Sequence, residues 1–231
     1  MPYLYIDPWY IILVVPAMLL AFWAQINVNT TFSRYSKVLA PSGMTGAESA
    51  RRVLEANGVT GVRIERISGN LTDHFDPKTN TIRLSESVYD ATTVSAVGVA
   101  AHEAGHAVQY AVGYAPMQLR AAIIPATNIG SQLAMPLVLL GLIFSSAMLV
   151  DIGIIAFSMS TLFQLITLPV EFNASRRALA AIESRNLLTD DELRGARSVL
   201  RAAAMTYVAA LLVSFAQLLR LILLYGNRRR D

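Results

Sequence analysis

Four stretches of the chain are apolar for long enough to cross a bilayer, and polar segments separate them. The first runs from Trp9 to Val28, about the 20 residues that a spanning helix needs, with Trp and Tyr at its flank. Met1–Pro8 holds Asp7 and no Lys or Arg, and no small-x-small cleavage pattern follows. The run is therefore expected to be an uncleaved anchor, with Pro16 as the place for a kink. The runs Ser131–Val150 and Ile152–Val170 are interrupted only by Asp151, and predict a transmembrane hairpin turning at Asp151-Ile152-Gly153. The residues before Ser131, with Pro125 and Asn128, are candidates for lying along the interface. A last run covers Ala202–Tyr225, with Arg220 able to snorkel from near its end.

The polar segments carry their own local signals. Thr45-Gly46-Ala47-Glu48 is a capping box, and the helix that it starts is expected to end at Asn57-Gly58. Val62 and Ile64 alternate with polar neighbours like a short strand. Asp76–Asn80 reads as a turn, and Thr81–Ser85 as the strand after it. Ala91–Ala111 is rich in Ala, lacks Pro and predicts a helix. Glu171–Arg201 is polar and helical in pattern, with a further helix start at Thr189-Asp190-Asp191-Glu192. The expected organisation is an anchor at 1–28, an α+β region at 29–130 and a membrane hairpin at 131–170. A helical segment at 171–201 and a last span with a basic tail at 202–231 complete it.

Composition agrees with lipid as the solvent. Apolar residues make up 54% and charged residues 15%, with a mean hydropathy of +0.46, where a soluble domain carries about 25% charged residues. Fifteen of the nineteen Lys and Arg lie in Arg34–Arg120 and Arg176–Arg201. By the positive-inside rule both segments face the cytoplasm, and the N-terminus faces out. Four spans then bring the C-terminus out as well, although Arg228, Arg229 and Arg230 pull the other way. The basic clusters do not form an aromatic-studded face, so no nucleic acid is expected as a partner. There is no Cys, so any metal must be held by His, Asp or Glu.

His102-Glu103-Ala104-Gly105-His106 is an HExxH motif inside a predicted helix, the context that the motif requires. Residues i and i+4 share a helix face, so the two imidazoles can bind one Zn²⁺. Glu103 can then reach a metal-bound water, take its proton as general base and return it to the leaving amine. Two of the three histidines of the chain fall in this motif. Gly105 costs helix stability, and either permits close packing of another backbone or leaves room at the metal. A catalytic zinc has three protein ligands and one open position. The candidates for the third are His74 and a carboxylate, foremost Glu171, which lies where the second hairpin arm leaves the membrane. The arms of the hairpin are about equal, so it returns Glu171 to the membrane face from which it started.

His102–Ala107 (HEAGHA) after an Ala/Val-rich helix, preceded by Asp73-His74-Phe75-Asp76-Pro77 and Thr81-Ile82-Arg83-Leu84-Ser85, resembles the bacterial YugP-type family of neutral zinc metallopeptidases. The resemblance covers nearly the whole chain, including the placement of the membrane runs. More distantly the chain is similar to the HtpX-type membrane gluzincins, whose third ligand comes from a downstream Glu-aromatic-x-Ala-Asp stretch. Glu171-Phe172-Asn173-Ala174 matches that pattern, so the resemblance implies Glu171 as the ligand. Ser175 stands where those relatives have the Asp that orients a zinc-bound His, which leaves that role open, with Asp73 or Asp76 as substitutes.

The expected fold is a membrane α-helical protein of about four transmembrane helices with a small α+β zincin-like region. The expected function is a multi-pass metalloendopeptidase of the bacterial inner membrane, with zinc on His102, His106 and Glu171 and its active site facing the cytoplasm. Its substrate would be an unfolded or membrane-tethered polypeptide; the sequence does not fix the oligomeric state. His74, Arg176 and Arg177 are candidates for contacting substrate or stabilising the oxyanion, with plain structural roles as the alternative. Strand Thr81–Ser85 could pair with an extended substrate, or be the inner strand of a small sheet. The rival functions are a membrane scaffold or assembly factor with a bound metal, and an intramembrane protease whose motif lies within the bilayer.

Overall fold

The computed structural model describes residues 7–228, with side chains described through Tyr225. It is mainly helical, with one small sheet. Four helices are long and apolar enough to cross a membrane: Tyr10–Tyr35, Ala115–Ile143, Ala147–Ser184 and Asp190–Tyr225. The first opens with a π-helical turn at Tyr10–Val14 and continues as α1, Val15–Tyr35. That wide turn sits directly before Pro16, which has no N–H to donate into α register.

The chain divides into two compact units. Among the described residues one comprises 7–24, 119–168 and 206–228, the other 25–118 and 169–205. The first unit is apolar to its surface: Leu19, Phe22, Leu139 and Phe215 are each more than 40% exposed, as side chains facing lipid should be. Its helices include α5 (Ala115–Ile143) and the start of α6 (Ala147–Ser184). They join at Phe144–Ser146, where Ser145 takes a positive φ of 52°. The hairpin thus turns seven residues, about two helical turns, earlier than expected. Asp151 lies within α6, because a single acidic side chain does not break a helix when the positive-φ turn is supplied upstream. α5 is continuous from Ala115, so the stretch before Ser131 is part of that helix. At Gly153 a Cβ would come within 2.9 Å of the carbonyl oxygen of Ala134, so the two arms pack backbone to backbone. In the same unit Arg220, on α7 (Asp190–Arg228), donates from Nε to Asp7 Oδ2 at 2.9 Å and lies over the Tyr10 ring. The tail residues Arg229 and Arg230 lie outside the described residues.

The second unit contains the polar elements. α2 (Gly46–Ala56) begins at the capping box, in which Thr45 N–H donates to Glu48 Oε2 at 2.9 Å and Glu48 N–H to Thr45 Oγ1 at 3.2 Å. It ends at Asn57, and Gly58 follows with φ +65°. The strands are β1 (Arg63–Ile67), β2 (His74–Asp76) and β3 (Thr81–Ser85), in the order β1-β3-β2. β1 runs parallel to β3, with Ile64 beside Ile82; β2 runs antiparallel to it, with Phe75 beside Ile82. A short helix α3 (Glu86–Tyr89) leads to α4 (Val94–Ala111), capped by Thr93 Oγ1. Ile82, Leu84, Val53, Val97, Val108 and Ile182 are buried in one core that joins the sheet, α2, α4 and the later helical segments of the unit.

β3 is the inner strand, so the reading in which Thr81–Ser85 adds a substrate strand is overturned. β1 pairs along one edge at Thr81–Ser85 and β2 along the other at Thr81–Arg83, so no full edge is left for a third strand. The sheet has one apolar face, Ile64, Ile82 and Phe75, and one polar face. On the latter Arg83 bonds Asp76 at 2.9 Å and lies 3.7 Å from Glu65.

Candidate metal centre

α4 carries the HExxH motif in its middle, and its Ala-rich sequence lets it sit among neighbours on several sides. His102 and His106 lie one turn apart, with ring centroids at 4.7 Å and planes at 81°. Glu171, on α6, is 2% exposed. Its Oε2 lies 3.3 Å from His102 Nε2 and 3.5 Å from His106 Nε2. One donor atom from each of the three residues can be chosen so that all lie within 4.8 Å of one another. With zinc bonds of about 2.0–2.1 Å, a tetrahedron has edges of roughly 3.3–3.4 Å. The two distances to Glu171 match those edges, and two imidazoles with one carboxylate are a donor set that zinc accepts. The residues fit the metal.

Gly105 explains how α6 comes so close. A Cβ on it would stand 2.6 Å from the Ala174 carbonyl oxygen and 3.1 Å from its carbon. The packing role of this glycine is therefore met: only a bare backbone leaves room for the segment that bears Glu171.

Each histidine is held from behind. Ser175 Oγ lies 3.1 Å from His102 Nδ1, and Gln109 Oε1 lies 3.0 Å from His106 Nδ1. The position that differs from the gluzincin pattern is thus filled by the serine itself. Asp73 and Asp76 do not substitute: Asp73 accepts from Ser85 N–H and Oγ, and Asp76 from Arg83, Thr79 and Lys78 N–H. Gln109 was not among the sequence candidates, although His102, His106 and Gln109 fall at i, i+4 and i+7 on one helix face.

Glu103 is buried, and among the described residues its carboxyl makes no hydrogen bond. Its charge is felt by His106 and by Asp73. Burial disfavours charge on His106, but the carboxylates of Glu171 and Glu103, with Gln109, outweigh it and hold the His106 pKa above the ordinary value. The cluster is built to receive positive charge. Asp73 is pushed upward, first by burial and further by Glu103, against the two Ser85 bonds that favour its ionised form.

The remaining candidates are placed elsewhere. His74 is exposed, its Nδ1 2.9 Å from the Thr72 carbonyl oxygen. It alternates with Phe75, whose ring meets Tyr110 of α4 at 5.8 Å, so His74 points to the opposite, polar face beside Arg83. It does not join the cluster. Arg176 is exposed, and Arg177 Nε donates to Asn173 Oδ1 at 2.8 Å.

A family model described as "Putative neutral zinc metallopeptidase" matches residues 10–226. A protein of Bacillus subtilis (strain 168) named "Putative membrane protease YugP" is 49% identical over 222 residues, covering 96% of this chain and 99% of the relative. No solved structure matches the chain.

Proposed function

The chain belongs to the family described as "Putative neutral zinc metallopeptidase", and on that premise we propose that it is a membrane-bound zinc endopeptidase with Glu103 as general base. The convergence of His102, His106 and Glu171, at the edge lengths of a zinc tetrahedron, carries this reading. Zinc bound there supplies a Lewis acid that polarises a peptide carbonyl and makes water easier to deprotonate. Glu103 neighbours His102, and no hydrogen bond occupies its carboxylate among the described residues. It is available to take the proton of the attacking water and to deliver it to the leaving amine.

The substrate of this reading is an extended polypeptide, unfolded or tethered to the membrane. The outer edge of β2 supports it: among the described residues β2 pairs with β3 alone, and Phe75 packs it against α4 through Tyr110. Its unpaired backbone can align a chain by hydrogen bonding without demanding a sequence. Facing of the site toward the cytoplasm of a bacterial inner membrane rests on the fifteen Lys and Arg in the two polar segments. Two observations count against the rivals. The described cluster has three ligands, where structural zinc takes four. The motif helix α4 is not one of the four helices long and apolar enough to span.

The purified chain, loaded with zinc, should cleave an unfolded protein such as casein, lose that activity to a chelator and regain it with zinc. Glu103→Gln should keep zinc while turnover falls by about 10²–10⁴-fold. Parental turnover in that variant would sink the mechanism. A fully loaded parent that cleaves neither casein nor a membrane-tethered peptide would favour the scaffold instead.

A further inference from the structure

Gln109 lies three residues beyond His106 on α4, and no part of it is exposed. Its carboxamide makes three contacts. Oε1 lies 3.0 Å from His106 Nδ1; Nε2 donates to the Val170 carbonyl at 2.8 Å and to Asn173 Oδ1 at 3.0 Å. Asn173 Oδ1 in turn accepts from Arg177 Nε. These contacts leave the amide one orientation. A backbone carbonyl can only accept, so the nitrogen must face Val170 and the oxygen must face His106. An amide oxygen cannot donate either, so His106 Nδ1 must carry the proton. The lone pair of the neutral ring then lies on Nε2, the nitrogen 3.5 Å from Glu171 Oε2.

The second half of the contact is mechanical. Val170 precedes Glu171 in the chain, and Asn173 follows it by two residues. Gln109 therefore grips α6 on both sides of the carboxylate ligand, while its oxygen fixes the ring of a histidine ligand. Its burial means that water cannot replace these bonds without a rearrangement of α4 against this segment of α6.

We infer that Gln109 is a positioning residue of the metal centre, setting the coordinating nitrogen of His106 and clamping the Val170–Glu171 backbone to α4. This rests on the reading of His102, His106 and Glu171 as zinc ligands. Gln109→Met has similar length and none of the bonds. Gln109→Glu keeps an oxygen for His106 Nδ1 and loses both donated bonds to α6.

The experiment is zinc affinity of the purified full chain, measured by competition with a chromophoric chelator, for the parent, both Gln109 variants and Glu171→Ala. The expected order is parent tightest, Gln109→Glu next and Gln109→Met weakest. Gln109→Met should lie about 10–100-fold below the parent, the usual cost of losing a partner behind a ligand. Parental affinity in Gln109→Met overturns the inference. So does a Gln109→Glu variant no tighter than Gln109→Met, since a general packing defect would spare neither. If Glu171→Ala binds zinc as the parent does, the ligand reading itself fails, separately from the role of Gln109.

Discussion

Gly105 and Ala174 meet backbone to backbone: a Cβ on the glycine would lie 2.6 Å from the alanine carbonyl oxygen. Ala174 stands between Asn173 and Ser175, three residues after Glu171, so whatever moves it moves the third ligand and the support of His102. Considered as an isolated helix, Gly105→Ala should stabilise α4 by about 1 kcal/mol. The contact reverses the sign. Overpacking of this kind costs about 1–3 kcal/mol, so the variant should melt at a lower temperature than the parent and bind zinc more weakly. A higher melting temperature with unchanged zinc affinity would show that the two backbones do not meet.

Glu171 and His74 make opposite predictions. Glu171 Oε2 lies within 3.5 Å of both histidine Nε2 atoms, while His74 sits on the polar face of the sheet. Glu171→Ala should release most of the zinc from the purified protein, and His74→Ala should retain it with at most a modest loss of turnover. Metal analysis of the two variants decides: a zinc-free His74 variant beside a loaded Glu171 variant reverses the assignment.

Ser175 supplies a neutral oxygen to His102 Nδ1 at 3.1 Å. Coordination through Nε2 places the ring proton on Nδ1, so the hydroxyl accepts it. Ser175→Ala removes the acceptor and should weaken zinc binding by about tenfold or more. Ser175→Asp offers a charged acceptor, which makes a stronger bond, and should bind zinc at least as tightly as the parent. Equal affinity across all three proteins would mean that His102 needs no such support.

Asp73 gives the protein a pH signature outside the metal cluster. Burial first, and Glu103 in addition, raise its pKa above the ordinary 3.8. A carboxyl whose folded pKa exceeds its unfolded one weakens the fold where both states are ionised. That penalty fades as pH falls through the folded value and is gone below the unfolded value. Asp73→Asn keeps an oxygen for Ser85 N–H and carries no charge. It should unfold a few degrees above the parent near pH 7.5, and the gap should close as pH approaches 4. Thermal unfolding followed by intrinsic fluorescence at both pH values tests this; a constant gap would assign the effect to packing.

The features legible in the sequence are those that depend on near neighbours. The capping box at Thr45 and Glu48, strand Thr81–Ser85 and the i, i+4 histidines are each defined within a few residues, and each forms as read. Glu171 is 65 residues from His106, and two things point to it: its place where the hairpin returns to the starting membrane face, and the pattern Glu171-Phe172-Asn173-Ala174 shared with relatives. β2 escaped notice because three residues make too short an alternation, and β3 holds it by pairing. Gln109 escaped because a glutamine on an apolar helix has no meaning until Val170 and Asn173 arrive from α6. The hairpin turn lies upstream of Asp151, the one charged break in the apolar runs, because the chain reverses through the positive φ of Ser145, which no residue type there announces.

The bond between Arg220 and Asp7 has a consequence of parity. Two residues that touch must lie at one depth, and a hydrocarbon core about 30 Å thick cannot stand between them. The chain must therefore traverse the bilayer an even number of times on its way from residue 7 to residue 220, and four long apolar helices lie on that path. Losing or adding one traverse would strand an aspartate and an arginine on opposite sides. The pair thus works as a checksum on insertion: whichever compartment receives Asp7 must also receive the end of the last helix, whatever the charge of the tail beyond it.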